Sequence, residues 1–299
     1  MSKYESTVKS VLWGIIGCGD VTEIKSAPTC FKSNCSDVVV CMRRDEEKSI
    51  DYAHRHDINH SCTTTQDFYE ICDRHDINSV YIATPPNSHK ELVIEAISKG
   101  YNVYIEKPIA LNASEAGIIS ECLQQHPDRK LSVAHYRREL EMFQHVKTSL
   151  LDRQSIGEVR NCSLRCWKAT RAAEYTDPSN WRLNAHVSGG GYFHDLAPHQ
   201  LDILIYLFGH PLTSHGISSA PRQDVSNGTD TLLPIDHVNG ISVFPNNVVF
   251  NGSWCFAAPE SAEVDECIVI GTTGSVKFSF FGASGVVSMV TGGPETGVP

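Results

Sequence analysis

Short apolar runs alternate with more polar stretches along the first 135 residues of the chain. Each run has the length of a buried strand, and each polar stretch has the length and mixed polarity of a helix. The runs lie at residues 11–16, 37–41, 79–83, 101–105 and 130–134, and the helical stretches lie at 46–56, 66–75, 91–99 and 112–125. Strands that alternate with helices in this way predict a parallel, doubly wound sheet.

The pattern changes near residues 130–140, where longer apolar segments replace the alternation. Strands are predicted at 157–167, 238–256, 264–270 and 275–281, the last two flanking a Gly-Thr-Thr-Gly hairpin turn. An apolar helix crossed by a polar stripe is predicted from about Tyr192 to Leu207. The expected fold is α/β, with an N-terminal doubly wound Rossmann domain over residues 1–135 and a C-terminal α+β domain with a mainly antiparallel open sheet over residues 136–299.

The sequence Arg-His-Asp-Ile-Asn occurs twice, at 55–59 and at 74–78. Each copy lies between a predicted helix and the next strand, and we expect its asparagine to end the helix in a left-handed conformation. Five residues are too few to define a repeat.

Composition and charge exclude several classes of protein. With 299 residues, 41% hydrophobic and 20% charged, the chain is too apolar to be intrinsically disordered. Its 25 basic and 35 acidic residues give a formal charge of -10 without any Lys/Arg run longer than two, so nucleic acid is not an expected partner. No segment approaches the ~18 apolar residues of a membrane helix. Because Met1–Ser10 lacks a signal-peptide core and the 11 cysteines form no Cys-x-x-Cys motif, we expect reduced thiols and a cytoplasmic location.

A glycine motif, Gly17-x-Gly19-x-x-Thr22, follows the first strand and precedes a predicted helix. Backbone amides in such a turn, together with a helix N-terminus, can hold a pyrophosphate. Threonine replaces the third glycine, and the motif alone fits an ordinary glycine turn equally well. The alternation of strands and helices that follows favours a dinucleotide site.

Two arginines, Arg43 and Arg44, end the second strand, where a dinucleotide fold usually places an acid that binds the ribose. A guanidinium group is suited to a phosphate dianion, so the sequence favours NADP(H). In the alternative interpretation one arginine stacks on adenine or faces solvent, and Asp45 binds the ribose of NAD.

Two further loops leave predicted strands at their carboxyl ends, where ligands bind in an open α/β sheet. The first, Ala83–His89, offers polar groups on Thr84, Asn87 and His89, although by itself it fits a rigid turn before a helix. The second is Ile-Glu-Lys-Pro at 105–108. A lysine at the end of a buried strand is costly unless it is paired or functional, so Lys107 is a candidate general acid/base, with a surface ion pair to Glu106 as the alternative.

The predicted helix in the second half carries Asp195, His199 and Asp202 on one face. Carboxylates beside an imidazole stabilise its protonated form and can orient its ring. His194 points away from this face, so no metal site is expected. The three glycines before Tyr192 allow a close approach of the backbone, either to a ligand or to the sheet.

Four motifs, taken in order, make the chain similar to the Gfo/Idh/MocA family of oxidoreductases. They are Gly-Ile-Ile-Gly-Cys-Gly-Asp at 14–20, Ala-Thr-Pro-Pro at 83–86 with His89, Glu-Lys-Pro at 106–108, and the glycine-rich segment with its Asp-x-x-x-His helix at 189–202. The resemblance covers about residues 10–290. It implies reversible hydride transfer between NADP(H), or NAD, and a secondary alcohol or carbonyl of a sugar, polyol or cyclic diol.

The resemblance also implies roles for single residues. Lys107 would polarise the substrate oxygen and exchange its proton, His199 would be its partner or the proton carrier itself, and Asp195 would position the pair. Substrate contacts are implied for Lys107, Tyr136, Asp195 and His199. Cofactor contacts are implied for Gly17, Gly19, Asp20, Val21, Arg43, Arg44, Thr84, Pro85, Asn87, His89, Glu106, Lys107, Arg137, Trp181 and Arg182. For Tyr136 and Arg137 a domain hinge is an equal alternative, and for Trp181 and Arg182 it is a buried tryptophan beside a solvated arginine.

Family members commonly pair sheet to sheet, so the resemblance implies a homodimer or tetramer formed through the C-terminal sheet. Members usually run some tens of residues longer, which implies either a fragment or a naturally short chain. Two other functions stay open: glycoside cleavage through transient oxidation, and cofactor-dependent regulation without turnover. Lys107 and His199 argue against the regulator, because a sensor needs no acid/base pair.

Overall fold

The computed structural model describes residues 10–152, 154–169, 177, 180–219, 235–282 and 288–291. The chain divides into two compact units, Met1–Ala134 and His135–Pro299. The first unit contains a six-stranded sheet and the second a seven-stranded sheet.

The first sheet is parallel throughout, in the order β3-β2-β1-β4-β5-β6. Its strands are β1 (Val11–Ile16), β2 (Ser36–Met42), β3 (His60–Cys62), β4 (Ser79–Ile82), β5 (Asn102–Ile105) and β6 (Leu131–Val133). This order confirms the predicted doubly wound Rossmann sheet. Strand β3 was not among the predicted strands, because its three residues, His-Ser-Cys, form no apolar run.

Helices connect the strands of the first unit. They are α1 (Asp20–Ile24), α2 (Ala27–Lys32), α3 (Glu46–Arg55), α4 (Thr65–Arg74), α5 (His89–Ser98) and α6 (Ala113–Gln125). The side chains of Asp45, Thr64 and Asn112 each accept a hydrogen bond from a main-chain amide in the first turn of α3, α4 and α6. These bonds fix three of the helix starts, because they satisfy amides that have no partner inside the helix.

Both copies of Arg-His-Asp-Ile-Asn end a helix, but the left-handed residue is not the predicted asparagine. Asp57 and Asp76 adopt φ of 54° in the first and second copy. Aspartate tolerates this conformation because its short polar side chain can bond the local backbone. The isoleucine that follows then donates its amide to the preceding helix and is buried in both copies.

The first sheet buries residues on both of its faces. Ile16 packs in one apolar cluster with Phe68 and Val80, whereas its neighbour Ile15 packs in a second cluster with Tyr52. On β1, a Cβ atom at Gly14 would lie 2.5 Å from Cζ of Phe68, so the phenylalanine ring rests directly on the backbone of the central strand. Burial on both faces explains why the strands appear as unbroken apolar runs.

The second unit holds a mixed sheet in the order β13-β12-β11-β7-β10-β9-β8. Its strands are β7 (Val159–Trp167), β8 (Thr213–Ser219), β9 (His237–Phe244), β10 (Val248–Cys255), β11 (Val264–Gly271), β12 (Gly274–Phe278) and β13 (Ser288–Thr291). Only the β7–β10 pair is parallel among the paired strands of the described ranges. The predicted mainly antiparallel sheet and the β11–β12 hairpin are thus confirmed.

The long strand predicted at 238–256 is wrong, because this segment forms the antiparallel hairpin of β9 and β10. A turn over Pro245–Asn247 separates the strands. Asn246 and Asn247 adopt φ of 59° and 58°, conformations that a continuous strand cannot contain.

One face of this sheet is covered by helices of the same unit. They are α7 (Glu141–Lys147), a π-helical turn (Thr148–Asp152), α8 (Ala185–Ser188) and α9 (Tyr192–Phe208). Ile203 and Leu207 of α9 lie in the same buried core as Trp254 of β10. No helix in the described part of the chain has both the length and the apolar character needed to cross a membrane.

A cluster of charges joins α1 to the end of α3 in the first unit. Both Glu23 oxygens accept hydrogen bonds from Arg55, at 2.6 and 2.9 Å, and one lies 2.9 Å from Nε2 of His56. The Arg55 hydrogen bonds, helped by His56 and opposed by partial burial, lower the pKa of Glu23 from its ordinary 4.5 to about 2. The carboxylate therefore stabilises the fold at neutral pH, and this contribution is lost as the pH falls from 4.5 towards 2.

We expect Glu23→Gln to lower the free energy of unfolding at pH 7 by about 1 kcal/mol, since the group is partly exposed. The difference from wild type should shrink progressively below pH 4.5. Urea unfolding at several pH values measures it, with the exposed Glu121→Gln as the control. A difference that stays constant down to pH 3 would contradict this explanation.

Candidate active site

The glycine turn after β1 needs its two glycines for different reasons. Gly17 has φ of 95°, and a Cβ atom there would lie 2.8 Å from both the carbonyl carbon of Ala83 and Cγ2 of Thr84. Gly19 has an extended backbone, and a Cβ atom there would have no atom within 4 Å. Gly17 therefore allows the turn to pack against the end of β4, whereas Gly19 borders open space.

The threonine in place of a third glycine caps the short helix α1. The Thr22 hydroxyl accepts a hydrogen bond from the Gly19 amide at 3.0 Å and donates one to the Gly19 carbonyl at 2.8 Å. Thr22 is fully buried, whereas Asp20 is exposed and Val21 is half-buried. The turn therefore fits a dinucleotide, because the space beside Gly19 lets a pyrophosphate approach the backbone.

The two arginines after β2 lie in different environments. The guanidinium of Arg43 donates a hydrogen bond to the carbonyl oxygen of Cys18, inside the glycine turn. Arg44 is exposed. The Asp45 carboxylate accepts from the Lys48 amide at 3.1 Å and pairs with the Lys48 ammonium at 3.1 Å. Asp45 is thus engaged as the cap of α3.

The loop after β4 is held by its own hydrogen bonds. Ser88 donates its hydroxyl to Thr84 Oγ1 at 2.7 Å, and the ring of His89 lies 2.8 Å from the Thr84 carbonyl oxygen. Pro85 is half-buried and Asn87 exposed, whereas His89 has no exposed surface. The ring of His89 has no exposed surface in this structure, and its predicted contact with the cofactor stays a prediction.

The Glu-Lys-Pro segment follows β5. The carboxylate of Glu106 is buried and accepts hydrogen bonds from Tyr81 at 2.7 Å and from Ser26 at 2.9 Å. Burial and the Glu106 charge raise the pKa of Tyr81, so its hydroxyl remains a donor. Lys107, the next residue, is half-buried. Glu106 therefore anchors the segment to the sheet.

In the second unit, three glycines with positive φ precede α9, and one of them packs against a side chain of that helix. Gly189, Gly190 and Gly191 all have positive φ, of 87°, 159° and 81°. A Cβ atom on Gly190 would lie 2.2 Å from the ring of His194. The close backbone approach expected at this point is therefore made to His194, and burial of that ring lowers its pKa.

Two carboxylates of α9 pair with arginines from earlier segments. Asp195 accepts a hydrogen bond from Arg182 Nε at 2.7 Å, and the Arg182 guanidinium lies 4.7 Å from the centre of the Trp181 ring. Asp202 is buried and accepts two hydrogen bonds from Arg138. Arg138 holds both oxygens of Asp202, a partner that the sequence did not indicate, and the effect of Asp202 on the imidazole of His199 stays a prediction. Arg182 is likewise an ion-pair partner rather than a solvated side chain.

His199 lies among aromatic side chains of the second unit. Its ring meets those of Tyr136 and Phe281 edge to face, with centroids 5.7 and 6.2 Å apart. Arg137 lies over both aromatic rings and donates to the carbonyl oxygen of Phe280. The structure thus brings together the predicted residues Tyr136, Arg137 and His199.

Phe281 is a member of this cluster that the sequence did not reveal. The strand predicted over 275–281 ends at Phe278, because the Asp265 carboxylate accepts from the amides of Phe280 and Phe281 and from the Ser279 hydroxyl. This bend turns Phe281 towards His199. The three phenylalanines at 278, 280 and 281 were the available signal, but strand alternation accounts for only part of that pattern.

Within the described ranges, no group of three or more His, Cys, Asp or Glu side chains could hold a metal ion. The strand order, the glycine turn and the lysine segment define the first unit as a Rossmann domain of a nucleotide-dependent enzyme. The second unit contributes an open sheet and a helix with a buried histidine. This is the class of two-domain nicotinamide oxidoreductases.

Comparison with known families and proteins specifies the class. Residues 11–135 match the model of the GFO/IDH/MocA oxidoreductase family, NAD-binding Rossmann fold, and residues 143–277 match the GFO/IDH/MocA C-terminal domain. The chain therefore belongs to the Gfo/Idh/MocA family of oxidoreductases.

Individual relatives agree with this assignment. The chain is 40% identical to oxidoreductase P35 of Formosa agariphila, over 92% of this chain and 81% of that protein. It is 25% identical to D-xylose 1-dehydrogenase [NADP(+)] of Haloarcula marismortui, over 91% of this chain and 73% of that one. Its fold resembles the crystal structure of aldose-aldose oxidoreductase from Caulobacter crescentus complexed with glycerol, with a TM-score of 0.80, 22% identity, and coverage of 95% and 82% of the two chains.

Proposed function

We propose that this protein is an NADP(H)-dependent oxidoreductase that transfers a hydride between the nicotinamide and a secondary alcohol or carbonyl of a sugar, polyol or related cyclic diol. The observation that carries the proposal is the placement of Lys107 two residues after the end of β5, on a segment anchored by the buried Glu106, in a sheet whose β1 ends at the glycine turn. Ligands of doubly wound sheets bind at the carboxyl ends of their strands, where both of these features lie.

The cofactor supplies the hydride acceptor or donor, and the residues of the first unit bind it. Gly19 leaves room for the pyrophosphate, and Gly17 holds the turn against the loop that carries Thr84 and Pro85. Asp20, Val21, Asn87, Glu106 and Lys107 are further proposed cofactor contacts of the first unit. From the second unit we propose Arg137, Trp181 and Arg182.

The proposed proton transfer involves Lys107 and His199. During oxidation of an alcohol, the hydroxyl proton must leave as the hydride departs from carbon, and Lys107 takes this proton or polarises the oxygen. His199, buried between Tyr136 and Phe281, is the partner or the proton carrier. Asp195 positions the pair from one helical turn away.

The aromatic groups beside His199 suit a sugar or polyol. Tyr136 is 41% exposed, which leaves a ring face available beside a buried imidazole. Aromatic rings present large, rigid apolar faces with polar edges, and these match the C–H faces and hydroxyl groups of a carbohydrate. The name of the xylose dehydrogenase relative supports the same substrate class.

The experiment that tests this proposal titrates NADPH and NADH side by side against the folded protein. Binding is followed through quenching of its 4 tryptophans. Saturation should be followed by a screen of sugars and polyols for turnover, read from nicotinamide absorbance. Absence of binding to either cofactor in a folded sample would overturn the proposal.

We propose that Arg44 gives the preference for NADP(H) by binding the 2′-phosphate, whereas Arg43 stabilises the glycine turn. We expect Arg44→Ala to weaken NADPH binding roughly 10- to 100-fold, the value of a charged hydrogen bond, and to leave NADH unchanged. Arg43→Ala should weaken both cofactors, because Arg43 holds the Cys18 carbonyl. The exposed Arg74→Ala serves as the matched control. Equal losses for NADPH and NADH in Arg44→Ala would exclude a 2′-phosphate contact.

A homodimer or tetramer formed through the second sheet is proposed from one face of that sheet. Ile217, Ile241, Ile270 and Val290 are 79%, 50%, 45% and 62% exposed there, among polar side chains such as Arg165 and Glu266. The pairing registers place these side chains on the face opposite the core. An exposed apolar surface of this kind is typical of an interface.

We expect Ile241→Lys to shift the protein towards the monomer by at least ~10-fold in the dissociation constant, because a buried lysine needs a partner. Sedimentation velocity over a concentration series measures the shift. Ile118→Lys is the matched control, since Ile118 is 44% exposed on α6 of the first unit. A wild-type protein that is monomeric at every concentration would reject the interface.

Cytoplasmic action is part of the proposal, because all 11 cysteines are free thiols. A reducing compartment keeps such thiols reduced.

A further inference from the structure

The histidine at the start of α5 makes two hydrogen bonds of the same kind. His89 Nδ1 lies 2.8 Å from the main-chain oxygen of Pro108, and Nε2 lies 2.8 Å from the main-chain oxygen of Thr84. The side chain has no exposed surface. Both ring nitrogens therefore face acceptors in a place that water does not reach.

The chemistry of the ring limits how this arrangement can be satisfied. A carbonyl oxygen only accepts hydrogen bonds, whereas a neutral imidazole has one N–H donor and one acceptor nitrogen. In a neutral His89, the nitrogen without a proton would lie 2.8 Å from a carbonyl oxygen, and the lone pairs of the two atoms would repel each other. Only the ring that carries both protons donates to both carbonyl groups.

The two carbonyl groups belong to the two loops that follow neighbouring strands. Thr84 lies two residues after β4, and Pro108 directly follows Lys107 after β5. The start of the loop after β5 is fixed to the sheet, because the Glu106 amide donates to the Ile82 carbonyl oxygen and the Glu106 carboxylate accepts from the Tyr81 hydroxyl. His89 thus joins the loop after β4 to the loop after β5, beyond the last main-chain hydrogen bond between these two strands.

The electrostatic surroundings of the ring act in both directions. Burial lowers the pKa of His89 below its ordinary value, and the hydrogen bonds to the carbonyl oxygens of Thr84 and Pro108 offset only part of this lowering, so the doubly protonated ring is inferred from its two acceptors. From the β5 side the negatively charged Glu106 favours the cation as well. The β4 loop faces the ring with the carbonyl of Thr84 and brings the uncharged hydroxyl groups of Thr84 and Ser88. On α5, the neighbouring Lys90 is paired with Glu91 and Glu115.

We propose that His89 is a positioning residue whose imidazole carries both ring protons, ties the Thr84 loop to the Pro108 loop, and thereby holds Lys107 in place. Its action passes through the backbone on the C-terminal side of Lys107. The protonation state is a property of the first unit alone. The effect on Lys107 rests on the proposed function.

The first test needs no turnover. Nitrogen-15 NMR of the full chain, labelled at histidine, should show two slowly exchanging ring N–H groups on one residue at neutral pH. Both signals should disappear in His89→Gln and persist in His54→Gln, which removes an exposed histidine of α3. A single ring N–H on His89 at neutral pH would overturn the protonation state, whatever the substrate of the enzyme proves to be.

The second test separates positioning from binding. A glutamine can donate to only one of the two carbonyl groups, and phenylalanine to neither. Displacement of a catalytic group by about 1 Å can cost roughly 100-fold in rate, so we expect kcat to fall roughly 10-fold in His89→Gln and 100-fold in His89→Phe. The KM for substrate should change by less than about 3-fold, since His89 itself makes no contact with the substrate.

The outcomes distinguish the possible failures. A wild-type kcat in a folded His89→Gln protein would overturn the positioning role. If both variants fail to fold, the NMR of the wild-type protein still decides whether the ring holds both protons. If no sugar or polyol is turned over by the wild type, the proposed function fails while the NMR result stands by itself.

Discussion

Lys107→Met is expected to lower kcat about 1,000-fold, within the range that general acid/base groups contribute, while the affinity for NADPH stays within a few-fold of wild type. Methionine keeps the length and apolar stem of lysine but has no proton to exchange. The neighbouring anchor should survive the change, because Glu106 takes its hydrogen bonds from Tyr81 and Ser26. Cofactor affinity should survive as well, since the glycine turn is untouched.

The measurement is steady-state turnover of the best substrate together with a fluorescence titration of NADPH. Lys32→Met, an exposed lysine on α2 of the same unit, is the matched control and should behave as wild type. His199→Gln in parallel would show which group is the principal proton carrier, because the larger loss in kcat belongs to that group. Turnover of Lys107→Met within a few-fold of wild type would remove Lys107 from the mechanism. The oxidoreductase assignment would survive, because it depends on the family and the fold.

The sequence predicted the first sheet well because both of its faces are buried. Such strands appear as unbroken apolar runs, and the helices between them start at capping residues such as Asp45 and Asn112. The prediction failed where polar or left-handed residues decide the structure. Strand β3 has no apolar run, and the turn at Asn246 interrupts a segment whose apolar residues continue on both sides.

The sequence predicted which residues lie in the candidate site much better than it predicted their hydrogen-bond and ion-pair partners. Helical spacing placed Asp195, His199 and Asp202 on one face, but it says nothing about side chains from other elements. Asp202 is paired with Arg138, 64 positions earlier in the chain, and Asp195 with Arg182, 13 positions earlier. Such partners depend on the fold of the whole unit, so a spacing argument assigns these carboxylates to the nearest histidine instead.

The same limit explains His89. A histidine in a loop that follows a strand of a dinucleotide fold is reasonably predicted to contact the cofactor. Its burial and its second acceptor, the Pro108 carbonyl 19 positions away, come from tertiary packing. For Phe281 the missing information was the carboxylate of Asp265, which ends β12 three residues before the predicted position.

The second large effect is expected from alanine substitutions in the glycine turn, where Gly17→Ala should lower stability and Gly19→Ala should weaken cofactor binding. Gly17→Ala places a methyl group 2.8 Å from the main-chain carbonyl carbon of Ala83, on a residue with φ of 95°. Backbone cannot move aside as a flexible side chain can, so we expect a loss of about 3 kcal/mol in the free energy of unfolding. Against a typical total of 5–15 kcal/mol, this is a large fraction of the stability of the chain.

Gly19→Ala is expected to leave that free energy within about 0.5 kcal/mol of wild type, because the added methyl group meets no atom within 4 Å. The same methyl group would occupy the space proposed for the pyrophosphate, so NADPH and NADH should both bind roughly 100-fold more weakly, a cost of about 2.7 kcal/mol. Urea unfolding without cofactor and fluorescence titration with cofactor measure the two quantities separately. If Gly19→Ala binds both cofactors as wild type does, the open space beside Gly19 is not the pyrophosphate site, and the nucleotide must approach the sheet elsewhere. If instead Gly19→Ala unfolds as readily as Gly17→Ala, the loss of binding would only report a damaged turn, and the functional meaning of Gly19 would disappear.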